Sequence, residues 1–539
     1  MFLRTKTRTG SNGIKYEYLY LVENKRIDGK VVQNTLMSFG QTSDPKLRER
    51  IDKLVLTLTI SQHCGVDLFN PRDHLSCHNS KFYGPLLVFK RLWNELGIGK
   101  ILNKSLYQYH TFFDLSDCIF NMVLSRLIEP CSKRGMLEFQ KDVYDLPPFE
   151  LHQYYRCLDY IIQDKETIEK NIFNQMVKQS GTSLDMAFFD TTTIIYYGED
   201  PKEDSELLAK GFSKDHRGDL KQVVIGVVMN KDGYPLAHEV FSGNKNDVTC
   251  FKEIIEKFVN KFSIKKVILV GDRGMISMKN LNLLEEMGLE YILGFRMRTI
   301  KKSSRQEVLE KVDLKKLRKL KGLQAKESEY QGKRLIVYYD PDRAELDKQH
   351  RENIIQELKE KTKNGTIFSV ISNSNYKRYL DIVGEDPKVS KKKIELDELY
   401  DGVFVMTTNT KLGANQVITS YRHLWQVEQG FSWLKSELEM GPIYHWKDTR
   451  IRAHIMICFF ALILKVRLNK KIKKLKDSLS YPDVMRSLKR LKVIEMDVAG
   501  KAVHMTTEIE ENANLAFKSI KMRPPEKILY SEHLNNFIV

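Results

Sequence analysis

The chain has 539 residues, 42% of them hydrophobic and 29% charged. At about 150 residues per domain this implies roughly three to four domains, with ample apolar material for their cores. Lys and Arg outnumber Asp and Glu by 87 to 70, a net charge of +17, which points to a polyanionic partner because clustered cations gain affinity by displacing counterions from phosphates. The longest apolar run, Ile455 to Leu464, is shorter than the roughly 20 residues of a bilayer span. The N-terminal MFLRTKTRTGSNG carries no apolar signal region. Seven scattered cysteines without framework spacing fit a reducing compartment. Secreted, membrane-spanning and disordered readings are therefore set aside.

Period-two alternation around Asp28-Gly29, with Tyr16, Tyr18 and Tyr20 on one face, predicts an N-terminal β-hairpin within a module of residues 1–80. Residues 81–181 show apolar spacings of three and four and read as a helical domain, one helix ending before Pro130. Strands follow at LDMAFFD, QVVIGVVMN, YPLAHEVFSG and KKVILVGD, so residues 182–300 read as three strands in meander, a helix and a further strand, a mixed α/β core. The charged stretch 301–395 reads as a partly β inserted subdomain. The core pattern resumes over 396–470 with the strand DGVFVMTTN, a long helix from about Gln416 and an apolar helix. Residues 471–539 read as a helical tail.

P-loop, G-x-G-x-x-G, H-E-x-x-H and G-x-S-x-G patterns are absent from the sequence, which removes the usual signals of nucleotide hydrolysis, dinucleotide redox and serine esterase chemistry. Two apolar strands instead run straight into carboxylates, MAFFD into Asp190 and KKVILVGD into Asp272. Singly, each can cap the segment that follows. Together on neighbouring strands they form an oxygen-donor pair for a divalent cation. In YRHLWQVEQGFSWLK, Tyr421, Glu428 and Lys435 recur every seven residues, and at about 100° per residue they would share one stripe of a single helix. Glu428 becomes a candidate third ligand and Lys435 a phosphate contact; the bland alternative is a solvated face of an amphipathic helix. Three carboxylates on a basic protein suggest phosphoryl transfer on nucleic acid, with two Mg²⁺ or Mn²⁺ ions as the activating group.

These residues carry a resemblance. FFDTTT, GDRGM and YRHLWQVEQGFSWLK, with GFSKDHRGDLKQVVIGVVMNKDGYPLAHEVFSGNKND and PIYHWKDTRIRAHIMICFFAL between and after them, resemble the DDE transposases of bacterial insertion sequences, in particular the group with a Tyr-Arg-Glu-Lys signature on the glutamate helix. The likeness spans about Ser183 to Leu468. It implies an RNase H-like mixed sheet flanked by helices, with a β-containing insertion before the glutamate helix. The longer of the two intervals, from Asp272 to Glu428, has room for that insertion. By the same resemblance Asp190, Asp272 and Glu428 are the metal triad, and Tyr421 and Lys435 contact phosphates. The chain has Leu424 where the signature has Arg; Arg422 and Arg273 are candidates to supply the missing charge.

The resemblance implies an enzyme that binds the terminal inverted repeats of its own element, cuts the 3′ strands and joins them to target DNA. Its partners are then double-stranded DNA and a second copy of itself, as a dimer or higher, with no membrane. The implied location is the bacterial cytoplasm, at the nucleoid. Two other readings stand beside it: an RNase H-like nuclease without strand transfer, and a non-catalytic, domesticated DNA-binding protein. His63, Cys64, His74, Cys77 and His78 cluster in sequence, but their spacing fits no common zinc module. NKKIKKLKD reads as a DNA-tracking helix face or a solvated charge run, and for such runs the solvated reading usually wins.

Overall fold

The computed structural model describes residues 2–9, 15–27, 30–49, 51–55, 75–180, 185–199, 205–214, 217–262, 267–272, 277–295, 297, 300, 305, 307–308, 311–318, 325–363, 376, 378–383, 386–498 and 501–529. They divide into two compact units, Met1–Gly84 with Arg486–Asn514 and Arg523–Val539, and Pro85–Met485 with Leu515–Met522.

The chain opens with β1 (Phe2–Thr9), β2 (Lys15–Ile27), β3 (Lys30–Gln41) and β4 (Leu75–Phe82). Helices α1 (Gly84–Glu95), α2 (Ile98–Ser105), α3 (Leu115–Ile128), α4 (Leu151–Ile161) and α5 (Lys165–Ser180) follow. The central stretch holds β5 (Met186–Ile195), β6 (Gln222–Asn230), β7 (Pro235–Ser242), α6 (Asp247–Phe262), β8 (Ile268–Gly271), α7 (Met278–Glu286) and β9 (Glu290–Gly294). Beyond it come β10 (Ala325–Tyr330), β11 (Lys333–Tyr339), α8 (Pro341–Lys363), β12 (Leu380–Val383), β13 (Asp386–Val389), α9 (Lys391–Glu398) and β14 (Val403–Thr408). The last elements are α10 (Ala414–Arg422), α11 (Trp425–Ser432), α12 (Asp448–Leu475), α13 (Tyr481–Arg490), β15 (Lys492–Val498), β16 (Lys501–Thr506), α14 (Glu511–Ser519) and β17 (Ile528–Leu529).

In the smaller unit the expected hairpin is the β2–β3 pair of a three-stranded antiparallel sheet, β1-β2-β3. Alternation puts Tyr18 and Tyr20 on one face, their rings 6.5 Å apart, with Arg8 over the first and Lys6 over the second. The Asp28-Gly29 tip lies outside the described residues, as do His63, Cys64 and His74; Cys77 and His78 lie on β4. The reading of 471–539 as a helical tail is corrected. A second sheet in this unit has the order β17-β16-β15-β4, and Lys81 of β4 pairs with Glu495 of β15 at 2.8 Å. KVIEMDV and KAVHMT alternate apolar and polar residues, which suits a half-buried strand, and β15 finds its partner β4 near the other end of the chain.

The larger unit is built on an eight-stranded mixed sheet of order β10-β11-β14-β9-β8-β5-β6-β7. β5, β6 and β7 are antiparallel neighbours, while β8 and β9 run parallel to β5 after the α6 and α7 crossovers. A meander followed by two parallel strands on the other side of the first strand is the RNase H-like arrangement. Its central strands are closed to water on both faces: every residue of β6 is buried, as a strand between two layers requires.

The insertion does not sit apart from this sheet. β10 and β11 form a hairpin whose turn residues, Gln331 and Gly332, have φ of 51° and 74°, the positive pair that a two-residue turn between twisted strands needs. β11 pairs with β14, and β14 pairs with β9. α3 starts on the Asp114 side chain, which accepts from the Asp117 N–H, and stops two residues before Pro130. α12 packs against α3, α4 and β7, so Ile455–Leu464 is buried on every side. That run is apolar all round because it is a core helix; no helix among the described residues is long and apolar enough to cross a membrane.

Candidate active site

Asp190 does not end its strand as the sequence reading expects. β5 runs on through Thr191, Thr192, Thr193, Ile194 and Ile195, because β-branched side chains suit an extended backbone buried on both faces. Asp190 is therefore held within a ladder, opposite Val227 of β6. β8 is short, and Asp272 follows its last residue, Gly271. In the parallel register Phe189 lies opposite Gly271, so the next position on each strand is a carboxylate.

The Thr191 N–H donates to Asp190 Oδ1 at 2.7 Å, and Lys214 Nζ stands 3.8 Å from the same oxygen. Burial pushes the Asp190 carboxyl up to about 6, the Lys214 ammonium and the Thr191 N–H pull it down, and the nearby charges of Asp272 and Asp247 add to the rise. A desolvated carboxyl facing a second carboxylate is a group whose charge a cation would stabilise, and all-oxygen donors suit a hard divalent ion. In donor chemistry the aspartate pair fits such an ion.

The glutamate helix is a correction too. The sequence predicts one continuous helix from about Gln416; the structure has α10, a turn at His423–Leu424, α11, and a π-helical turn over Trp433–Glu437. Seven-residue spacing thus does not place Tyr421, Glu428 and Lys435 on one helix: they lie on three successive segments. α10 begins where the Gly413 N–H donates to Gln416 Oε1 at 3.1 Å. α11 packs on β5, Val427 and Phe431 are buried, and a Cβ at Gly430 would lie 2.4 Å from Met229 Cε of β6. Glycine lets this helix come close to the sheet.

Asp272, Tyr421, Arg422, Leu424, Trp425 and Glu428 all line a cavity of about 1250 Å³, which also takes in residues of the insertion such as Arg343, His350 and Arg378. The Tyr421 hydroxyl donates to Asp272 Oδ1 at 3.3 Å. Glu428 is exposed on the wall. Arg422 pairs with Asp340 at 3.4 Å and lies over the Tyr338 ring. Leu424 is buried at the edge of the same cavity. Lys435, half-buried in the π turn, is outside the lining, and Arg273 lies outside the described residues. Among the described residues no three acidic, His or Cys side chains stand close enough to share one ion. The two aspartates adjoin, and Glu428 shares the cavity with Asp272.

Sequence reasoning missed Lys214, Thr191 and Asp247. The Thr191 hydroxyl donates to Asp247 Oδ1 at 2.6 Å, and Lys214 approaches both Thr191 and Asp190. The only sequence signal for Lys214 is its place in the polar, glycine-bounded GFSKDHRGD.

Residues 187–464, more than half of the chain, match the transposase DDE domain family, and residues 3–63 match the N-terminal domain of IS1634 family transposases. The chain belongs to the DDE transposases. It is thus an insertion-sequence transposase, a metal-dependent enzyme that cuts DNA and joins strands. Among solved structures a piggyBac transposase synaptic complex with hairpin DNA is similar to this transposase at 11% identity and a TM-score of 0.37, over 75% of this chain and 79% of that one. No curated protein sequence matches the chain.

Proposed function

We propose that Asp190, Asp272 and Glu428 are the metal ligands of this transposase, that the ions are Mg²⁺ or Mn²⁺, two per site, and that the substrate is the terminal inverted repeat of its own element. The observation that carries this reading is the register of β5 and β8, which sets Asp190 beside Asp272, at a cavity that Asp272 shares with Glu428. Divalent cations bound there would activate a water or a 3′-hydroxyl and stabilise the leaving oxygen.

The protein's own residues prepare the site. The ladder of β5 and β6 fixes the Asp190 backbone, and the Tyr421 hydroxyl orients Asp272. Arg343, Arg378 and Arg422 stand on the cavity wall, each paired with an aspartate, Asp347, Asp397 and Asp340; a DNA phosphate would take them over from these carboxylates, and such contacts position a duplex without reading its sequence. Joining two ends in one complex requires a dimer or higher assembly, and DNA binding places the protein at the nucleoid.

The test is cleavage and strand transfer on a duplex that bears the element's end. The wild-type protein cuts in Mg²⁺ or Mn²⁺ and not in EDTA. Asp190→Asn retains the duplex in a gel-shift assay but cuts only at background. Cleavage without joining would make the chain a nuclease alone; retention with no cleavage by the wild type would leave only DNA binding.

A further inference from the structure

Lys214 lies on an irregular segment and is held there by several contacts. Its backbone N–H donates to Thr193 Oγ1 at 3.0 Å. Its ammonium donates to the Thr191 carbonyl oxygen and, at 3.0 Å, to Thr191 Oγ1, and it stands 3.8 Å from Asp190 Oδ1. The Thr191 hydroxyl donates in turn to Asp247 Oδ1 at 2.6 Å, at the head of α6. A flexible four-carbon stem loses considerable rotamer freedom when its ammonium is held in this way. Yet the side chain remains about a third exposed, with room to move outward.

A divalent ion on the Asp190 carboxylate would sit about 2.1 Å from its oxygen. An ammonium within 4 Å of that oxygen would then face the ion at close range, and the two positive charges would repel. Each would weaken the other's hold on the carboxylate.

We propose that Lys214 is the resident counter-cation of Asp190, which offsets the carboxylate's charge while no divalent ion is bound and gives way when one arrives. The proposal rests on the reading of Asp190 as a metal ligand. After displacement, the Thr193 contact to its backbone keeps Lys214 at the site, where its ammonium can meet a DNA phosphate instead. Asp247 serves the same device by holding the Thr191 hydroxyl from the other side.

The test is Mn²⁺ binding to the full-length, DNA-free protein, read by loss of the free-ion signal in electron paramagnetic resonance, beside end cleavage at saturating Mn²⁺. Lys214→Met is expected to bind Mn²⁺ about tenfold more tightly, a shift in the usual range of coupling between two sites, and to cleave about tenfold more slowly. Lys214→Arg, which keeps the charge, restores most of both values. Lys214→Gln serves where the Met variant does not fold. Unchanged or weaker Mn²⁺ binding in the neutral variants overturns the proposal. Asp190→Asn separates the two ideas: if it binds Mn²⁺ as the wild type does, the ligand reading itself falls, whereas if it loses Mn²⁺ while Lys214→Met is unaltered, only the role of Lys214 falls.

Discussion

The Tyr421 hydroxyl reaches across from α10 to donate to Asp272 Oδ1 at 3.3 Å, tying the segment ahead of Glu428 to the strand end that carries the second aspartate. A single hydrogen bond to a carboxylate contributes about 1.5–3 kcal/mol, less when it is long. Tyr421→Phe should therefore fold normally and slow end cleavage by roughly three- to tenfold. Single-turnover kinetics at saturating Mg²⁺ would show this, and a fall to background would mean that the hydroxyl does more than orient Asp272.

Glu169 of α5 is fully buried and bonded to Lys261, with Lys165 at 3.4 Å and His238 Nδ1 at 2.6 Å. Burial opposes its charge, but Lys165, His238 and Lys261 outweigh that and hold the carboxyl well below its ordinary range. Removing Glu169 takes away the carboxylate that these groups share, although Lys165 keeps Glu239 at 2.8 Å and Lys261 keeps Glu166 at 2.6 Å, so the cost stays at or below the roughly 3–5 kcal/mol of a fully broken buried pair. Glu169→Ala should lower the melting temperature by several degrees in calorimetry. An unchanged melting temperature would show that the cluster contributes little.

Lys133, after α3, is 3% exposed, and its ammonium has no hydrogen-bond partner among the described residues. Burial, then the Arg126 guanidinium, push it down to about 7. In the unfolded chain the same group titrates near 10.5, so between these values the unfolded state binds more protons and stability rises with pH, by up to about 1.4 kcal/mol per unit. Below pH 7 the contribution is flat and unfavourable. Lys133→Met should be more stable than the wild type at pH 7, and the difference should shrink towards pH 10. Denaturant melts across that range measure it; a difference that is constant with pH would refute the assignment.

Two glycines separate backbone from side-chain crowding. A Cβ at Gly243 would lie 2.0 Å from the Gln222 carbonyl oxygen and 2.3 Å from that of Ala209, atoms that cannot turn aside. At Gly430 the obstacle is the end of a flexible methionine. Gly430→Ala should cost about 1–3 kcal/mol, the range for overpacking, and Gly243→Ala more, read as urea midpoints. The reverse order would mean that the Met229 packing is the more rigid of the two.

Much of this fold can be read locally. The buried runs around Phe188, Val228 and Val270 are strands by composition alone, and the register of β5 and β8 follows once they lie side by side. The continuation of β5 past Asp190 is harder to see, because three threonines after an aspartate suit a cap or loop as well as a strand. The break at His423–Leu424 leaves no trace, since neither residue disrupts a helix by itself. β15 could not be matched to β4 by any local rule, because the pairing joins segments from nearly opposite ends of the chain. For the site, Asp272 and Glu428 were accessible as strand-end and helix carboxylates, while the role of Lys214 depends on a polar segment folding back over β5.

The hairpin of β10 and β11 adds to the open flank of the sheet beyond β14 instead of splitting it. An excursion that leaves after β9 and returns at β14 can therefore lengthen, shorten or be exchanged over evolutionary time without disturbing the aspartates. DNA-handling surfaces could diversify between lineages while the chemistry stays in place.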